Sequence, residues 1–512
     1  MKILSTSQIR EADAYTIAHE TIASIDLMER AASACANWIA ERYSDGAAFY
    51  IFCGTGNNGG DGLAIARILN STKYYNIKVF VIRHSDKTSP DFSTNLSRLA
   101  KSKNIDITDI SDTSQLPEIP ENIVVIDALL GSGLSKSLTG LLADVVEHIN
   151  KSQAAIIISI DIPTGLFAED NSANTGKVIQ ADYTLTFELP KLAFLFPENA
   201  PFVGEWQVLP IGLSKEFIAQ TATDYHYITE ENILPLLKKR NKFSHKGTYG
   251  HALIIAGSKG KMGAAVMAAK SALRAGAGLA SAHIPNCGYT VLQSTVPEAM
   301  CETDANETHI SGRIKIGSCN AVAVGPGIGN DPDTVRALKL LIQDTTINMV
   351  YDADALNMIA ENKTWFAFMR GGSILTPHPK EFERLFGKSD NSFERLKLQR
   401  EMAMKYGFYI VLKGAHTSIA FPDGSVYFNS TGNPGMATGG SGDVLTGIIC
   451  GLLAQGYKPH EASLVGVYLH GVAGDIAAEK MSEEGMTAMD IIDGMGEAWK
   501  RVGSKNIGSL SH

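Results

Sequence analysis

The chain has little cysteine and no long basic or apolar run, and each absence excludes a class of protein. Its six cysteines in 512 residues are scattered without a CxxC pair, which argues against a zinc site or disulfide framework and favours a reducing compartment. Acidic residues outnumber basic ones, 54 against 45, so nucleic acid and anionic membranes are poor candidate partners. No apolar run is long enough to span a bilayer, and the N-terminus lacks the apolar core of a signal peptide. We expect a soluble cytoplasmic protein.

Both halves of the chain alternate short β-branched runs with helical stretches, which is typical of a parallel sheet covered by helices. A helix is predicted over 7–42. Strands are predicted at 49–53, 77–82, 122–128 and 154–160 in the first half, and at 251–257, 322–325, 348–354, 373–379 and 409–414 in the second. Mostly helical sequence follows Asp443. The expected fold class is α/β, with two three-layer α/β/α domains.

The alternation lapses around 213–243, where the sequence is polar and charged. A chain of this length normally forms two or three domains. We predict a junction over 221–232, with one domain at 1–220 and a second at 233–512.

A glycine-rich loop, GTGNNGGDG at 54–62, follows the first predicted strand and begins a helix. Its GxGxxG spacing suggests a dinucleotide site of the Rossmann type. However, the second strand ends in Arg83-His84 instead of the acidic ribose ligand, and Asp61 would repel a pyrophosphate at the helix start. A tight turn that needs glycine only for its backbone is the simpler alternative.

Two later strands of the first half also end in an aspartate. Asp127 precedes LLGSG, and Asp161 begins the segment DIPTG. Each could be a helix cap. Because ligands of open α/β sheets bind beyond the carboxyl ends of the strands, three such motifs together favour a binding site.

The segments GTGNNGGDG, VVIDALLGSG and SIDIPTG resemble the signature segments of the NAD(P)H-hydrate epimerase family, the YjeF N-terminal domain, over about residues 1–213. The resemblance implies a Rossmann-like domain that interconverts the R and S epimers of hydrated NADH and NADPH at C6. It implies substrate contacts from Asn57, Asn58, Gly59, Gly60, Asp61, Gly131, Ser132, Gly133, Leu134, Ser135, Lys136, Ser137 and Asp161. It also implies a potassium ion held near Asn58, Asp127 and Thr164, whose oxygen ligands suit a hard cation. Asp161 is our candidate for the catalytic acid/base.

A second glycine loop, NPGMATGGSGD at 433–443, leads into an apolar helix. Its free backbone N–H groups could bind an anion at the helix start, and Asp443 beside them could take a hydroxyl proton during phosphoryl transfer. An acid that served only to stabilise the N-terminus of the helix would not need so many glycines next to it. There is no GxxxxGK[ST] P-loop, and the GxSxG serine-hydrolase elbow is not matched either.

The GGSGD context of Asp443 resembles the ribokinase-like fold. KFSHKGTYGHALIIAG, GPGIG, DADALN, TPHPKEFERLFG and LKGAHT together resemble the ADP- or ATP-dependent NAD(P)H-hydrate dehydratase family over about 240–500. That resemblance implies nucleotide contacts from Lys413, Gly414, Ala415, His416, Thr417 and Gly442. It implies substrate contacts from Ala264, Gly327, His378 and Asp443, the last also catalytic. His378 by itself would more often be a capping or core histidine.

Dehydration of such a hydrate needs a better leaving group than hydroxide. A kinase-like site fits this need, because phosphate leaves easily with help from the lone pair of the ring nitrogen. Phosphoryl transfer generally requires Mg²⁺ on the nucleotide. The preference for ADP or ATP stays open, and a homo-oligomer is expected. The alternative is a ribokinase-like kinase of a small alcohol with a non-catalytic N-terminal binding domain.

Overall fold

The computed structural model describes residues 1–72, 74, 76–102 and 105–503. Its internal contacts divide the chain into two compact units, one of residues 2–223 and one that begins at Asp224 and includes Met1. Residues 504–512 of the second predicted domain lie outside the described residues. In the described part of the chain, no helix is both long and apolar enough to cross a membrane.

The N-terminal unit contains helices and strands in alternation. Its helices are α1 (Thr6–Glu20), α2 (Ser24–Arg42), α3 (Asn57–Thr72), α4 (Pro90–Leu99), α5 (Leu141–Lys151), α6 (Ala200–Val203) and α7 (Lys215–Gln220). Its strands are β1 (Ala48–Cys53), β2 (Ile77–Ile82), β3 (Ile105–Ile110), β4 (Ile123–Ala128), β5 (Ile156–Ile160), β6 (Tyr183–Phe187) and β7 (Glu205–Leu209).

Among the described residues of this unit, the strands form one parallel sheet in the order β3-β2-β1-β4-β5-β6-β7. On β1, Phe49 and Ile51 pack with α2, α3 and α4, whereas Tyr50 and Phe52 pack with α5 on the other face. This alternation is the two-residue period of a strand that is covered on both sides. The predicted Rossmann-like three-layer domain is confirmed. The strand order reverses between β1 and β4, where such sheets bind ligands.

The prediction of one helix over 7–42 is wrong, because the chain turns between α1 and α2. Thr21 ends α1 in the left-handed region, at φ 55°. The Asp26 carboxylate then accepts a hydrogen bond from the Ala23 N–H at 3.0 Å, which caps the start of α2. Two local caps therefore interrupt a pattern that has helical propensity throughout.

The C-terminal unit is larger. Its strands are β8 (Tyr225–Tyr227), β9 (His251–Ile255), β10 (Leu279–Ile284), β11 (Met300–Thr303), β12 (Ala321–Val324), β13 (Met349–Tyr351), β14 (Ile374–Leu375), β15 (Tyr409–Leu412), β16 (Ser418–Ala420) and β17 (Val426–Phe428). Its helices are α8 (Glu230–Ile233), α9 (Met262–Arg274), α10 (Tyr289–Thr295), α11 (Pro332–Asp344), α12 (Ala353–Glu361), α13 (Pro379–Phe386), α14 (Ser392–Tyr406), α15 (Ser441–Ala454), α16 (Pro459–Met481) and α17 (Ala488–Gly503).

These strands form a sheet in the order β11-β10-β9-β12-β13-β14-β15-β16-β17-β8, antiparallel only at the β15–β16 and β16–β17 pairs within the described residues. Ala252 and Ile254 of β9 share a core with α9, α15, α16 and α17, and Leu253 and Ile255 face the opposite side. At Gly447, a Cβ would lie 2.1 Å from the Ala268 carbonyl. Glycine thus lets α15 pack directly on α9, which fixes the position of the Asp443 helix.

The predicted junction 221–232 contains a strand that the sequence did not reveal. β8 pairs in parallel with β17, and the buried Ile228 donates its N–H to the Phe428 carbonyl at 2.8 Å. The boundary between the two units falls at 223/224. The sequence does not predict this strand, because three residues with polar neighbours are too few to show the two-residue alternation of a strand.

We expect fragments 1–223 and 224–512 each to fold alone, whereas fragment 233–512 should be less stable. The shorter fragment lacks β8 and Ile228, so the edge of β17 loses its partner and the core loses a buried side chain. Each kcal/mol lost lowers Tm by roughly 2–4 °C in a domain of about this size. Calorimetry of the three fragments tests this, and equal Tm values for 224–512 and 233–512 would contradict it.

Candidate active sites

A cavity of about 670 Å³ lies at the carboxyl ends of β1, β4 and β5 in the N-terminal unit. Part of the predicted substrate set lines it, namely Asn57, Asn58, Asp61, Gly131, Ser132, Gly133, Leu134 and Asp161. The others do not line it, namely Gly59, Gly60, Ser135, Lys136 and Ser137. The substrate contacts themselves stay predictions.

Backbone packing explains part of the glycine density in the first loop. A Cβ at Gly54 would lie 2.0 Å from the Leu129 carbonyl oxygen, and one at Gly59 would lie 1.9 Å from the Gly54 carbonyl oxygen. The loops after β1 and β4 therefore touch through their backbones. Gly54 and Gly59 therefore have the backbone role of the alternative in which the turn needs glycine only for close packing. Asn57, Asn58 and Asp61 are the residues of this loop whose side chains could act on a ligand.

Asp161 and Lys191 form an ion pair in the wall of this cavity. Lys191 is 1% exposed, and its Nζ lies 2.9 Å from Asp161 Oδ1. The Ser132 N–H donates to Asp161 Oδ2 at 2.9 Å. Burial raises the pKa of Asp161, but Lys191 and the bonds from Ser132 outweigh it and hold that pKa below its usual value. Asp161 also has φ 67°, a left-handed conformation that is uncommon for a non-glycine residue, and strained residues of this kind cluster at active sites.

Two further carboxyl groups in the cavity have the opposite tendency. Burial, reinforced by the negative charge of Asp161, raises the pKa of Asp13 to about 6. Burial, again with repulsion from Asp161, raises the pKa of Asp61 well above its usual value. The ionised Asp161 therefore lies in the same cavity as Asp61, whose carboxyl group favours the protonated form, a pattern that separates a base from an acid.

Asp127 is buried beneath the loops and accepts several hydrogen bonds. Thr164 donates its N–H at 2.9 Å and its hydroxyl at 2.7 Å, and Ser159 donates its hydroxyl at 2.8 Å. Asn58 differs, because it is 7% exposed and its amide oxygen and nitrogen have no hydrogen-bond partner among the residues that the structure describes. A buried amide without partners is costly unless something else binds it. Asn58 thus fits the predicted cation, and Asp127 also organises the loop.

In the C-terminal unit, Lys413 connects several of the predicted residues. Its Nζ lies 2.9 Å from Asp352 Oδ1, and Thr446 of α15 donates its hydroxyl to Asp352 Oδ2 at 2.7 Å. A Cβ at Gly442 would lie 3.3 Å from the Lys413 Nζ. The structure therefore brings Lys413, Gly442 and Asp443 together around a buried carboxylate.

The pKa of Asp443 is raised to about 7, mainly by burial and then by repulsion from Asp352, while Lys413 acts in the opposite direction. Asp443 lies in the first turn of α15, directly after the glycine loop. A carboxyl group that titrates near neutral pH is suited to act as a general base. This geometry supports its predicted catalytic role.

His378 is the N-cap of α13. Its Nδ1 accepts from the backbone N–H groups of Lys380 and Glu381, at 3.1 and 3.3 Å. The His378 N–H in turn donates to Glu381 Oε2 at 2.8 Å, and the same oxygen lies 3.9 Å from the Lys413 Nζ. Burial is the main reason that the pKa of His378 is lowered. The imidazole therefore has the capping role that the sequence left open, and its Nε2 side remains partly exposed.

The remaining predicted residues fall into two groups. A Cβ at Gly327 would lie 3.1 Å from the Ala264 Cβ, so these two predicted substrate residues are adjacent. The segment 414–417, with Ala415, is a tight turn in which Thr417 Oγ1 donates to the Gly414 carbonyl at 2.9 Å. His416 Nδ1 lies 3.1 Å from the Asn429 carbonyl oxygen. Contact with a nucleotide stays a prediction.

Sequence reasoning missed four residues of these sites: Asp13, Lys191, Asp352 and Glu381. Asp352 and Glu381 lie inside the segments DADALN and TPHPKEF, which carry the family resemblance. The available signal was Asp352, an acid where the predicted strand 348–354 leads into DADALN, and it lies directly after β13 in the structure. Asp13 and Lys191 lie on a helix and after β6, far in sequence from the glycine loop. Nothing in their local pattern marks them.

Comparison with known proteins identifies the family. Residues 252–496 match the family model described as NAD(P)H-hydrate dehydratase, and residues 24–193 match the YjeF-related protein N-terminus. The bifunctional NAD(P)H-hydrate repair enzyme of Moorella thermoacetica is 36% identical over 510 residues, covering 96% of each chain. The Escherichia coli enzyme of the same name is 34% identical over 470 residues, covering 91% of this chain and 88% of its own. The chain belongs to the bifunctional NAD(P)H-hydrate repair enzymes.

A solved structure also resembles the C-terminal half. The ADP/ATP-dependent NAD(P)H-hydrate dehydratase from Bacillus subtilis, co-crystallised with ATP and Mg²⁺, is 32% identical and has a TM-score of 0.48. The match covers 55% of this chain and 100% of that one. The two family models and the curated relatives account for both halves of the chain, and the predicted ribokinase-like class of the second half agrees with its dehydratase family model.

Proposed function

We propose that the C-terminal unit dehydrates the S hydrate of NADH and NADPH at the expense of ADP or ATP. The observation that carries this is Asp443, whose pKa of about 7 and position after the glycine loop suit a base beside an anion site. Asp443 takes the proton of the C6 hydroxyl while the hydroxyl oxygen attacks the terminal phosphorus of the nucleotide. The bond between that phosphorus and the bridging oxygen of the nucleotide then breaks. Phosphate then leaves C6, and loss of the C5 proton gives the reduced dinucleotide.

Lys413 supports this step electrostatically. Asp352 and Glu381 raise the pKa of Lys413, which outweighs its burial and keeps it charged. Its ammonium lies beside Gly442, where it can attract the nucleotide phosphates.

Mg²⁺ fits the donors that the site offers. Protein sites for Mg²⁺ commonly supply one or two carboxylates, with water and substrate phosphates completing the shell. Asp443 could hold the ion through one of its water ligands and keep its own oxygens for the proton, whereas the Asp352 oxygens already accept from Lys413 and Thr446. When bound, Mg²⁺ would neutralise charge on the transferred phosphoryl group.

We propose further that the N-terminal unit epimerises the hydrates at C6. The Asp161–Lys191 pair supplies a charged base, and Asp61, with Asp13 nearby in the same cavity, supplies a proton. Removal of the C6 hydroxyl proton with protonation of the ring nitrogen opens the C6–N bond, and reclosure on the other face inverts C6. Dehydration that is specific for one epimer requires such a partner activity.

The potassium site also belongs to this proposal. Among the described residues, the Asn58 amide oxygen has no hydrogen-bond partner. Asp127 at the end of β4 and Thr164 in the loop after β5 are the other two predicted ligands, with carboxylate and hydroxyl oxygens. When bound, K⁺ would supply positive charge beside the first glycine loop.

We expect potassium to stabilise the N-terminal unit, and the Asn58→Ala variant to lose that effect. The substitution breaks no hydrogen bond of the described structure, so it removes a ligand without leaving a donor unpaired. Tm is measured in KCl and in choline chloride at equal ionic strength without substrate, since a bound ligand raises Tm by mass action. An Asn58→Ala variant with the same KCl-dependent rise as the wild type would contradict the assignment.

The proposal includes a cytoplasmic location and a homo-oligomer. The support for the cytoplasmic location is the sequence, in which six cysteines are scattered without a CxxC pair, a usage that suits a reducing compartment. Cell fractionation and light scattering test the two statements.

One assay tests both proposed activities. Mixed R and S hydrates are incubated with ADP, with ATP or without nucleotide, and the absorbance of the reduced dinucleotide is followed. We expect complete conversion with at least one nucleotide and none without. Clean phosphorylation of a small alcohol without dehydration would instead favour the kinase alternative.

A further inference from the structure

One side of α1 lines the cavity of the N-terminal unit. The residues on that side follow one another at intervals of one or three positions, as on one face of a helix, namely Ile9, Arg10, Asp13, Ala14 and Ile17. A helix that packs on a core has apolar residues on this face. Two charged side chains within an otherwise apolar face therefore indicate a wall that meets a polar ligand.

Arg10 is the cation of this cavity that no acid neutralises. Four aspartates and two basic side chains line the cavity, and the other basic residue, Lys191, is paired with Asp161. Among the residues that the structure describes, the Arg10 guanidinium has no ion pair or hydrogen bond, even with Asp13 one turn further along α1. Its positive charge is therefore available to an anionic ligand in the cavity.

The guanidinium lies against the loop after β4, which is part of the predicted substrate set. A Cβ at Gly133 would lie 2.7 Å from one of the Arg10 guanidinium nitrogens. Any larger residue at this position would displace the end of the arginine side chain. Glycine at 133 thus lets the arginine and the backbone of this loop form one continuous part of the cavity wall.

Hydrogen bonds at both ends fix α1 in place. At its start, the Thr6 N–H donates to Glu169 Oε1 at 3.1 Å. Toward its end, Thr16 Oγ1 accepts from the Ser214 N–H at 2.9 Å, and Thr16 is fully buried. The helix that carries Arg10 is therefore positioned before a ligand binds, which lowers the cost of ordering on binding.

The same loop connects Arg10 to the proposed reaction centre. A Cβ at Gly131 would lie 3.1 Å from Asp161 Oδ2 and 3.5 Å from Asn58 Cβ. Gly133 is two residues further on, and two residues of chain span at most about 7 Å. One ribose can bridge such a separation between a nicotinamide ring and its first phosphate. A hydrated ring beside Asp161 would therefore bring that phosphate close to Arg10.

We propose that Arg10 binds a phosphate group of the hydrated dinucleotide and sets the affinity of the N-terminal unit for its substrate. This inference rests on the proposed epimerisation. A planar guanidinium can donate two parallel hydrogen bonds to a phosphate. The spacing along the loop favours the pyrophosphate, which would then lie at the loop after β4. It would avoid the start of α3, where Asp61 would repel it.

The test compares Arg10→Gln with the wild type, as full chains, on purified R hydrates of NADH and of NADPH. We expect the KM of epimerisation to rise at least about tenfold, the usual cost of losing a hydrogen bond between charged groups, with kcat within a few-fold. Added salt should raise the wild-type KM and change that of Arg10→Gln much less. An equal rise for both hydrates places the pyrophosphate at Arg10, and a rise confined to the NADPH hydrate places the 2′-phosphate there.

Two further variants separate a binding role from a structural one. Arg10→Lys keeps the charge without the planar fork, so its KM should lie between those of the wild type and Arg10→Gln. Arg98→Gln, at an exposed arginine of α4 outside the cavity, is the matched control and should behave as the wild type. A lower kcat with unchanged KM in Arg10→Gln would overturn the proposal, because it would indicate a damaged site instead of a lost phosphate contact.

Calorimetric titration with the hydrates separates this inference from the proposed activity. It uses the full chain without ADP or ATP, and Arg10→Gln should weaken one binding event at least about tenfold. If the wild type does not epimerise but the variant still shows this loss, the proposed activity is wrong and Arg10 keeps its role. If the variant epimerises and binds both hydrates as the wild type does, the role of Arg10 is wrong and the activity stands.

Discussion

The Asp443→Asn variant should lose about 100- to 10,000-fold in the rate of dehydration, the usual cost of removing a positioned base. Asparagine keeps the shape of the side chain at the start of α15 but cannot accept the hydroxyl proton. Epimerisation should be unchanged, because its proposed residues all lie in the N-terminal unit. Nucleotide binding should persist through Lys413, which the substitution leaves in contact with Asp352.

The dependence on pH makes this prediction sharper. Because the pKa of Asp443 is raised to about 7, its carboxyl group is protonated, and inactive as a base, at lower pH. The kcat/KM of dehydration should therefore fall as pH decreases through about 7, and Asp443→Asn should lack that dependence. Asp493→Asn, at an exposed acid paired with Lys270, is the control and should behave as wild type. An Asp443→Asn rate within a few-fold of wild type would show that another group is the base.

Sequence patterns predicted the layers and the motif-bearing loops well, because buried strands and glycine turns are local signals. β1, β2, β4 and β5 all lie where apolar runs predicted strands. The strands β3, β6, β7, β10 and β11 were not predicted. Neither were β8, β16 and β17, which have three residues each, too few to show a period. They form because neighbouring strands supply hydrogen bonds, and that information is not local.

The active sites show the same limit. Asp161 and Asp443 were found because each lies next to a recognisable turn, whereas their partners Lys191 and Asp352 are 30 and 91 residues away along the chain. The pKa values depend on these partners and on burial. Sequence could name the acids, but which one is charged is decided by the fold.

The Lys191→Met variant should lose epimerisation by about 100- to 10,000-fold while dehydration of the S hydrate continues. Methionine has nearly the length of lysine and suits a site that is 1% exposed. Without the ammonium, burial is left to dominate the pKa of Asp161, which should then rise above its usual value. The proposed base becomes protonated, so the loss should be largest at low pH and should diminish as pH increases.

This rise with pH distinguishes a chemical role of Lys191 from a merely structural one. A misfolded cavity would lower the rate at every pH, whereas an Asp161 carboxyl that has lost its ion pair should regain activity as it ionises. The double variant Lys191→Met with Asp161→Asn has no charge at either position, so it should fold, but its epimerisation rate should not recover as pH increases.

Lys151→Met, at an exposed lysine paired with Glu147, is the control for the change of residue type. Rates are measured on purified R hydrate after subtraction of spontaneous epimerisation. A Lys191→Met enzyme with the wild-type rate and pH profile would show that the buried ion pair serves the fold alone.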